Sequence, residues 1–333
     1  MMRVIGFSLL LTAFILSPVI AQEDGEETSV LRAGMIGLTT SHVPAFQGVM
    51  NDPNAEGPLT GVMVTDAVTG GAPDNASGWP RREGYTNTLR ERGVVIHETM
   101  EEMLPEVDVV MVMSVDGRPH LEYARKAIEA GKPVYLDKPM AGSLADVIEI
   151  FRLGEEHGVP VFSASSLRYS SGFQAMRNDS PVGAILGCDA YSPCSYEEHH
   201  PDLFWYGVHG VETLFTIMGA GCESVQRTVT PDADFVVGVW EDGRIGTFRG
   251  TRKGKHGYGA FVYGEQGDQT AGTYEGYAPL CVEICRFFQT GVAPVEPQET
   301  IEIFAFMEAA DESKRQDGAR VSLADVIEKA KAE

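Results

Sequence analysis

Three stretches of the chain hold residue types that bind ligands or move protons. The first is Gly34-Met35-Ile36-Gly37-Leu38-Thr39-Thr40-Ser41-His42, a turn between an apolar run and a helical stretch. Such a turn holds a dinucleotide's pyrophosphate when small residues let the backbone approach and a helix N-terminus faces the charge. With Gly37 as the first glycine of a G-x-G-x-x-G pattern, the second position is Thr39 and the third His42, so both carry side chains. Thr40 or Ser41 can cap the following helix, and Asp66, at the end of the next strand, is expected to hold a ribose hydroxyl. The second stretch, Asp137-Lys138-Pro139, is delivered at the carboxyl end of a short apolar strand. The third holds His199, His200, Tyr206, His209 and Glu212. Adjacent histidines in an extended loop point opposite ways and chelate poorly, so they read as substrate contacts or a polar loop, and no metal site is expected.

The elements that would carry these residues alternate. Arg32 to Ile36, Leu59 to Thr65, Val94 to His97, Val107 to Ser114 and Pro133 to Leu136 read as strands; Val43 to Asn51, the end of Pro73 to Arg92, and His120 to Ala130 read as helices. Val107 to Ser114 is apolar on both sides, as a parallel strand covered on both faces must be. Alternation of this kind implies a doubly wound parallel sheet, with ligands beyond the carboxyl ends of its strands. Past residue 183 the rhythm becomes strand-rich: Ala184 to Ser192, then Asp234 to Trp240 and Arg244 to Thr251 flanking Glu241-Asp242-Gly243, an Asp-Gly hairpin signal. Helical stretches at Val208 to Met218, Tyr277 to Thr290 and Glu299 to Gln316 fit against such a sheet. The expected division is a nucleotide-binding domain over 31–150 and an α+β domain with a large open, mainly antiparallel sheet over 151–333.

The 333 residues hold 26 Lys+Arg against 48 Asp+Glu, a net charge of −22, and no basic stripe that would neutralise phosphates, which argues against nucleic acid as a partner. Met1 to Arg3 followed by apolar Val4 to Ile20 reads as a signal peptide over 1–21, with an acidic leader over 22–30. An exported protein without stable membrane association is expected. The signal lacks a twin-Arg pair, so the chain is expected to cross unfolded and without cofactor. Five cysteines leave at least one unpaired; export permits a bridge such as Cys188 with Cys194.

The run Ala127 to Ala141, AIEAGKPVYLDKPMA, resembles the Gfo/Idh/MocA family of nicotinamide-dependent oxidoreductases, which carry A-x-x-A-G-K-x-V-x-x-E/D-K-P at this point. VDVVMVMSVDGRPH (Val107 to His120), SSLRY (Ser165 to Tyr169) and the ending from Glu299 to Leu323 extend the likeness. The resemblance implies a Rossmann domain followed by an open-sheet α/β domain, NAD or NADP as cofactor, and dimers or tetramers. It also implies oxidation or reduction of a sugar or polyol hydroxyl. Lys138 would then touch cofactor and substrate as a proton carrier, with Asp137 orienting Lys138 or the cofactor, and Ser114 and His120 beside the cofactor. Asp66 leans toward NAD, because a carboxylate repels a 2′-phosphate. His209 matches the family's catalytic histidine and Glu212 its neighbouring carboxylate, while Arg168, Tyr169, His199, His200 and Tyr206 are candidate substrate contacts. The aspartate the family places four residues before the histidine is Trp205 here, and an indole accepts no proton. Two alternatives stay open: a redox-neutral lyase or glycosidase that recycles its NAD, and a non-catalytic sugar-binding protein on the same scaffold.

Overall fold

The computed structural model describes residues 29–332. The signal peptide read over 1–21, and the leader up to residue 28, lie outside the described residues. The first sheet contains six parallel strands, β1 (Leu31–Ile36), β2 (Val62–Val68), β3 (Val95–His97), β4 (Val109–Val112), β5 (Val134–Leu136) and β6 (Val161–Ser163), in the order β3-β2-β1-β4-β5-β6. Between and after them come α1 (His42–Met50), α2 (Arg82–Glu91), α3 (Met100–Met103), α4 (His120–Glu129) and α5 (Leu144–His157). All four residues of β4 are buried, each such side chain contributing about 1.5–3 kcal/mol by leaving water. Helix α5 starts where Ser143 Oγ accepts from the Asp146 N–H at 3.0 Å and stops at Gly158 in the left-handed conformation.

The second sheet has seven strands: β7 (Ile185–Pro193), β8 (Cys222–Val229), β9 (Ala233–Trp240), β10 (Ile245–Thr251), β11 (Gly259–Gly264), β12 (Gly267–Ala271) and β13 (Val321–Ser322), ordered β12-β11-β7-β10-β9-β8-β13. Only the β7–β10 pair is parallel. The helices of this half are α6 (Ser171–Asn178), α7 (Asp202–Trp205), α8 (Gly207–Met218), α9 (Ala278–Thr290), α10 (Pro297–Arg315) and α11 (Leu323–Lys331). Every residue of α8 is buried, since it lies with α10 against one face of the second sheet.

Three expectations shift. Strand β2 begins at Val62 because Gly57–Gly61, with Pro58 in its first turn, coils into a 3-10 turn first. The parallel sheet runs past residue 150 to β6, and α9, from the second half of the chain, packs Leu280, Ile284 and Phe287 into the core under β1 and β2, so the 150/151 division cuts through α5. The cysteines are all buried and free, without a Cys188–Cys194 bridge.

Candidate functional site

Gly37 closes β1 with φ +82, and a Cβ there would lie 2.9 Å from the Ser114 Cβ, so only glycine lets the β1 and β4 ends come this close. Thr39 then bridges the two ends: its Oγ1 accepts from the Val115 N–H at 3.0 Å. His42, the first residue of α1, sends Nδ1–H to Asp137 Oδ2 at 2.8 Å, and its ring stacks on Phe46 at 5.1 Å and tilts against Tyr277 at 4.7 Å. The side chain in the third-glycine position therefore fixes the carboxylate beside Lys138. Burial would raise the Asp137 pKa, but His42, then Lys138, hold it below the usual carboxylate value.

Lys138 is only 7% exposed, with Nζ 5.4 Å from the centre of the Tyr206 ring. Among the described residues its ammonium makes no hydrogen bond, and Asp137 is its one charged counterpart. Burial lowers its pKa below the ordinary lysine value, against the pull of Asp137. His209, near the start of α8, has Nδ1 2.7 Å from Ser165 Oγ. Burial, then the Lys138 charge, pushes its pKa well below the ordinary value, so the ring is neutral at pH 7. Nε2 is the ring nitrogen left for a ligand, an acceptor when Nδ1–H donates to Ser165 and a donor when the Ser165 hydroxyl donates to Nδ1.

Lys138 and His209 line one cavity of about 350 Å³, together with Thr40, Ser41 and His42 of the β1 turn, and with Trp205 and Tyr206. Tyr258, Tyr274 and Tyr277, between strands and helices of the second half, form another wall; Ser77 and Arg81 reach in from the β2–α2 connection. Convergent polar groups within aromatic walls are the usual make-up of a small-molecule site, and the volume falls in the usual range. Another cavity, about 300 Å³ between the N-terminal end of α5, the C-terminal end of α10 and α11, contains none of these groups.

The other sequence candidates lie behind this cavity. Asp66 sits inside β2, opposite Gly34 and Val95, and is 1% exposed. Its oxygens accept from Arg32 at 3.1 Å and His97 at 2.7 Å, leaving none aimed at a ribose, so its lean toward NAD falls. Ser114 and His120 are fully buried; the His120 ring nitrogens face the carbonyls of Ser114 at 2.9 Å and Met140 at 3.2 Å, tying the β4 and β5 ends together rather than meeting a cofactor. Glu212 accepts from the Ser165 N–H at 2.7 Å and from Arg168 Nε at 2.8 Å, while Arg168 also binds Glu299, so this pair holds the segment that positions Ser165. Tyr169 and Arg168 line a separate hollow with Arg177. The His200 ring lies tilted against Trp205 at 4.9 Å with Nε2 3.2 Å from Asp116, and His199 lies 3.7 Å from Asp74; neither lines the cavity.

Sequence reasoning missed Ser165's bond to His209, Arg81, and the three loop tyrosines. Tyr258 stands between two glycines, and Tyr274 and Tyr277 flank Gly276; large aromatic side chains on glycine-rich loops at strand ends were the available signal.

The turn does not fit a dinucleotide as the chain is folded. Residues 69–81 form a strap across it: a Cβ at Gly70 would lie 3.4 Å from the Gly37 Cα, and one at Gly71 would lie 2.6 Å from Thr39 Cγ2. Polar contacts pin the strap to both halves: Asn75 donates to Asp116 at 3.2 Å, Ser77 to Glu197 at 3.0 Å, and Arg118 to Asp74 at 2.7 Å. Thr39, whose Oγ1 is already used, is covered by the strap, which closes the second-glycine position of the turn, while Thr40 and Ser41 stay open to the cavity.

A family described as an oxidoreductase family with an NAD-binding Rossmann fold, Gfo/Idh/MocA, matches residues 31–165. Curated relatives include an uncharacterized oxidoreductase YhhX of Escherichia coli, 28% identical over 162 residues, 42% of this chain and 46% of that one. An inositol 2-dehydrogenase of Gluconacetobacter diazotrophicus is 35% identical over 98 residues, 28% of this chain and 29% of that one. A 2,7-anhydro-N-acetylneuraminate hydratase of Mediterraneibacter gnavus is 27% identical over 124 residues, 33% of each. The matches thus span less than half the length of these relatives. Among solved structures, a probable dehydrogenase from Thermotoga maritima superposes with TM-score 0.70 at 19% identity, over 89% of this chain and 100% of that one. An oxidoreductase from Agrobacterium radiobacter in complex with NAD+, L-tartaric acid and magnesium gives 0.72 at 14%, over 90% and 100%. These structures share the fold.

Proposed function

Because residues 31–165 match the Gfo/Idh/MocA oxidoreductase family, we propose that the cavity binds a carbohydrate or polyol and moves a proton at one of its hydroxyls. The observation that carries this reading is the buried, unpartnered Lys138 ammonium facing the same cavity as a neutral His209. An amine with a lowered pKa gives up its proton more readily than an ordinary lysine. His209, in the tautomer whose Nδ1–H is held by Ser165, supplies a second proton acceptor at Nε2 and makes up for the carboxylate that Trp205 displaces. Aromatic walls from Trp205, Tyr206 and Tyr258 cover the apolar face of a sugar ring while its hydroxyls meet the polar groups. Inositol as the substrate of a relative is in keeping with such a ligand.

Net oxidation needs a hydride acceptor, and the strap lies over the turn that would hold one. That observation favours a second reading, a sugar-binding protein without nucleotide turnover. One experiment separates the two. The purified chain is incubated with NAD or NADP and a panel of inositols, aldoses and uronic acids, followed by nucleotide absorbance and by proton NMR of the sugars. Conversion that Lys138→Met abolishes supports the enzyme. Saturable binding with no conversion supports the second reading, and neither binding nor conversion sinks both.

Export belongs to the same proposal, resting on the apolar stretch Val4 to Ile20. Exported protein whose N-terminus is Gln22 supports it; protein kept in the cytosol with Met1 to Ala21 intact contradicts it.

A further inference from the structure

The whole chain carries −22, yet among the described residues no Asp or Glu lines the cavity, while Arg81 and Lys138 both do. Neither cation forms a salt bridge or side-chain hydrogen bond among the described residues. The carboxylate nearest Lys138, Asp137, is already engaged by His42. A third positive feature joins them. Helix α1 starts at His42 with no acidic residue in its first turn, and Thr40 and Ser41, whose backbone N–H groups make no backbone bond among the described residues, line the same cavity. The end of a helix presents partial positive charge and free N–H donors.

A buried ammonium whose nearby carboxylate is already engaged is costly, and an acidic surface elsewhere does nothing to offset it inside a cavity. The arrangement is complementary to a ligand that brings the missing negative charge. The strap makes this feature possible. While it covers the turn where a dinucleotide's phosphates would lie, its far end carries Ser77 and Arg81 into the cavity. We infer that the ligand of this site is an acidic carbohydrate, a sugar bearing one oxyanion that lies between Arg81, Lys138 and the N-terminus of α1.

This inference rests on the carbohydrate reading above and goes further by fixing the charge of the ligand. Calorimetric titration of the whole chain with D-glucose, D-glucuronate, D-glucose 6-phosphate and D-glucose 6-sulfate, with parallel galactose and galacturonate arms, tests it. At least one acid is expected to bind tenfold or more tightly than its neutral parent, with affinity falling as salt is raised. The preferred arm identifies carboxylate, phosphate or sulfate. Arg81 is exposed, so Arg81→Gln leaves the fold intact, and it is expected to erase most of that preference. Equal binding of neutral and acidic sugars overturns the charge assignment while sparing the carbohydrate reading. Binding of neither class removes both. Tight binding of NAD alone, lost in Arg81→Gln, would assign the positive groups to the nucleotide's phosphates and overturn the inference.

Discussion

Lys138 holds its position at a cost to the fold. Its ammonium is buried with Asp137 as its one counter-charge among the described residues, and that carboxylate is shared with His42. Lys138→Met is therefore expected to stabilise the protein at pH 7 by roughly 1 kcal/mol, the usual size of relief when a functional site is made apolar. The sign of its pH dependence follows from the lowered pKa. The folded lysine loses its proton before the unfolded one, which holds it up to about pH 10.4. In that window the unfolded chain binds more protons, so wild-type stability rises with pH relative to the variant. Urea denaturation from pH 7 to 10 should show the advantage of Lys138→Met shrinking; an advantage constant across that range contradicts a depressed amine. Lys138 was legible because Asp137-Lys138-Pro139 ends a strand in a run dense with family positions. Ser165 was not, because its role depends on a 2.7 Å contact with His209, 44 residues away.

The strap is the element that decides what this fold admits. Residues 73–92 read in the sequence only as a polar segment ending in a helix, and helix α2 is indeed there. That the segment doubles back over Thr39 was not legible, because what pins it is a set of isolated long-range bonds, Asn75 to Asp116 and Ser77 to Glu197, that leave no periodic trace. Likewise, reading Leu59 to Thr65 as a strand missed the 3-10 turn at Gly57–Gly61 and placed Asp66 at a strand end rather than inside β2. Replacing Gly70–Gly78 with a short flexible turn should expose Gly37 and Thr39 and raise NAD affinity at least tenfold, measured by calorimetry on folded protein. Affinity unchanged by that replacement would mean the strap does not guard the turn.

Across the molecule, the two sheets face their surroundings differently. The first is covered on both faces, as the unbroken apolar run of β4 announced. The second is covered by α8 and α10 on one side only, and on the other Leu186, Phe235, Ile245 and Phe261 are 39% to 53% exposed. Alternation in β9 and β10 made an open sheet legible in the sequence; what it did not reveal was α9 returning to the first sheet, since an amphipathic helix does not say which sheet it will cover. An apolar patch on a sheet face marks an association surface. Light scattering at micromolar concentration should give about twice the monomer mass, and Leu186→Glu with Ile245→Glu should return the monomer. A wild-type monomer under those conditions contradicts this.

The claim that a reactive, unpaired Lys138 shares a cavity with a sugar is tested most directly by quantitative acylation. An amine-selective ester is applied across pH 6 to 10, labelling is read residue by residue by mass spectrometry, and the series is repeated with saturating glucuronate. The account predicts that Lys138 reacts at lower pH than the surface lysines and that the sugar protects it alone. Lys138 labelling in step with the surface lysines, indifferent to the sugar, would contradict it.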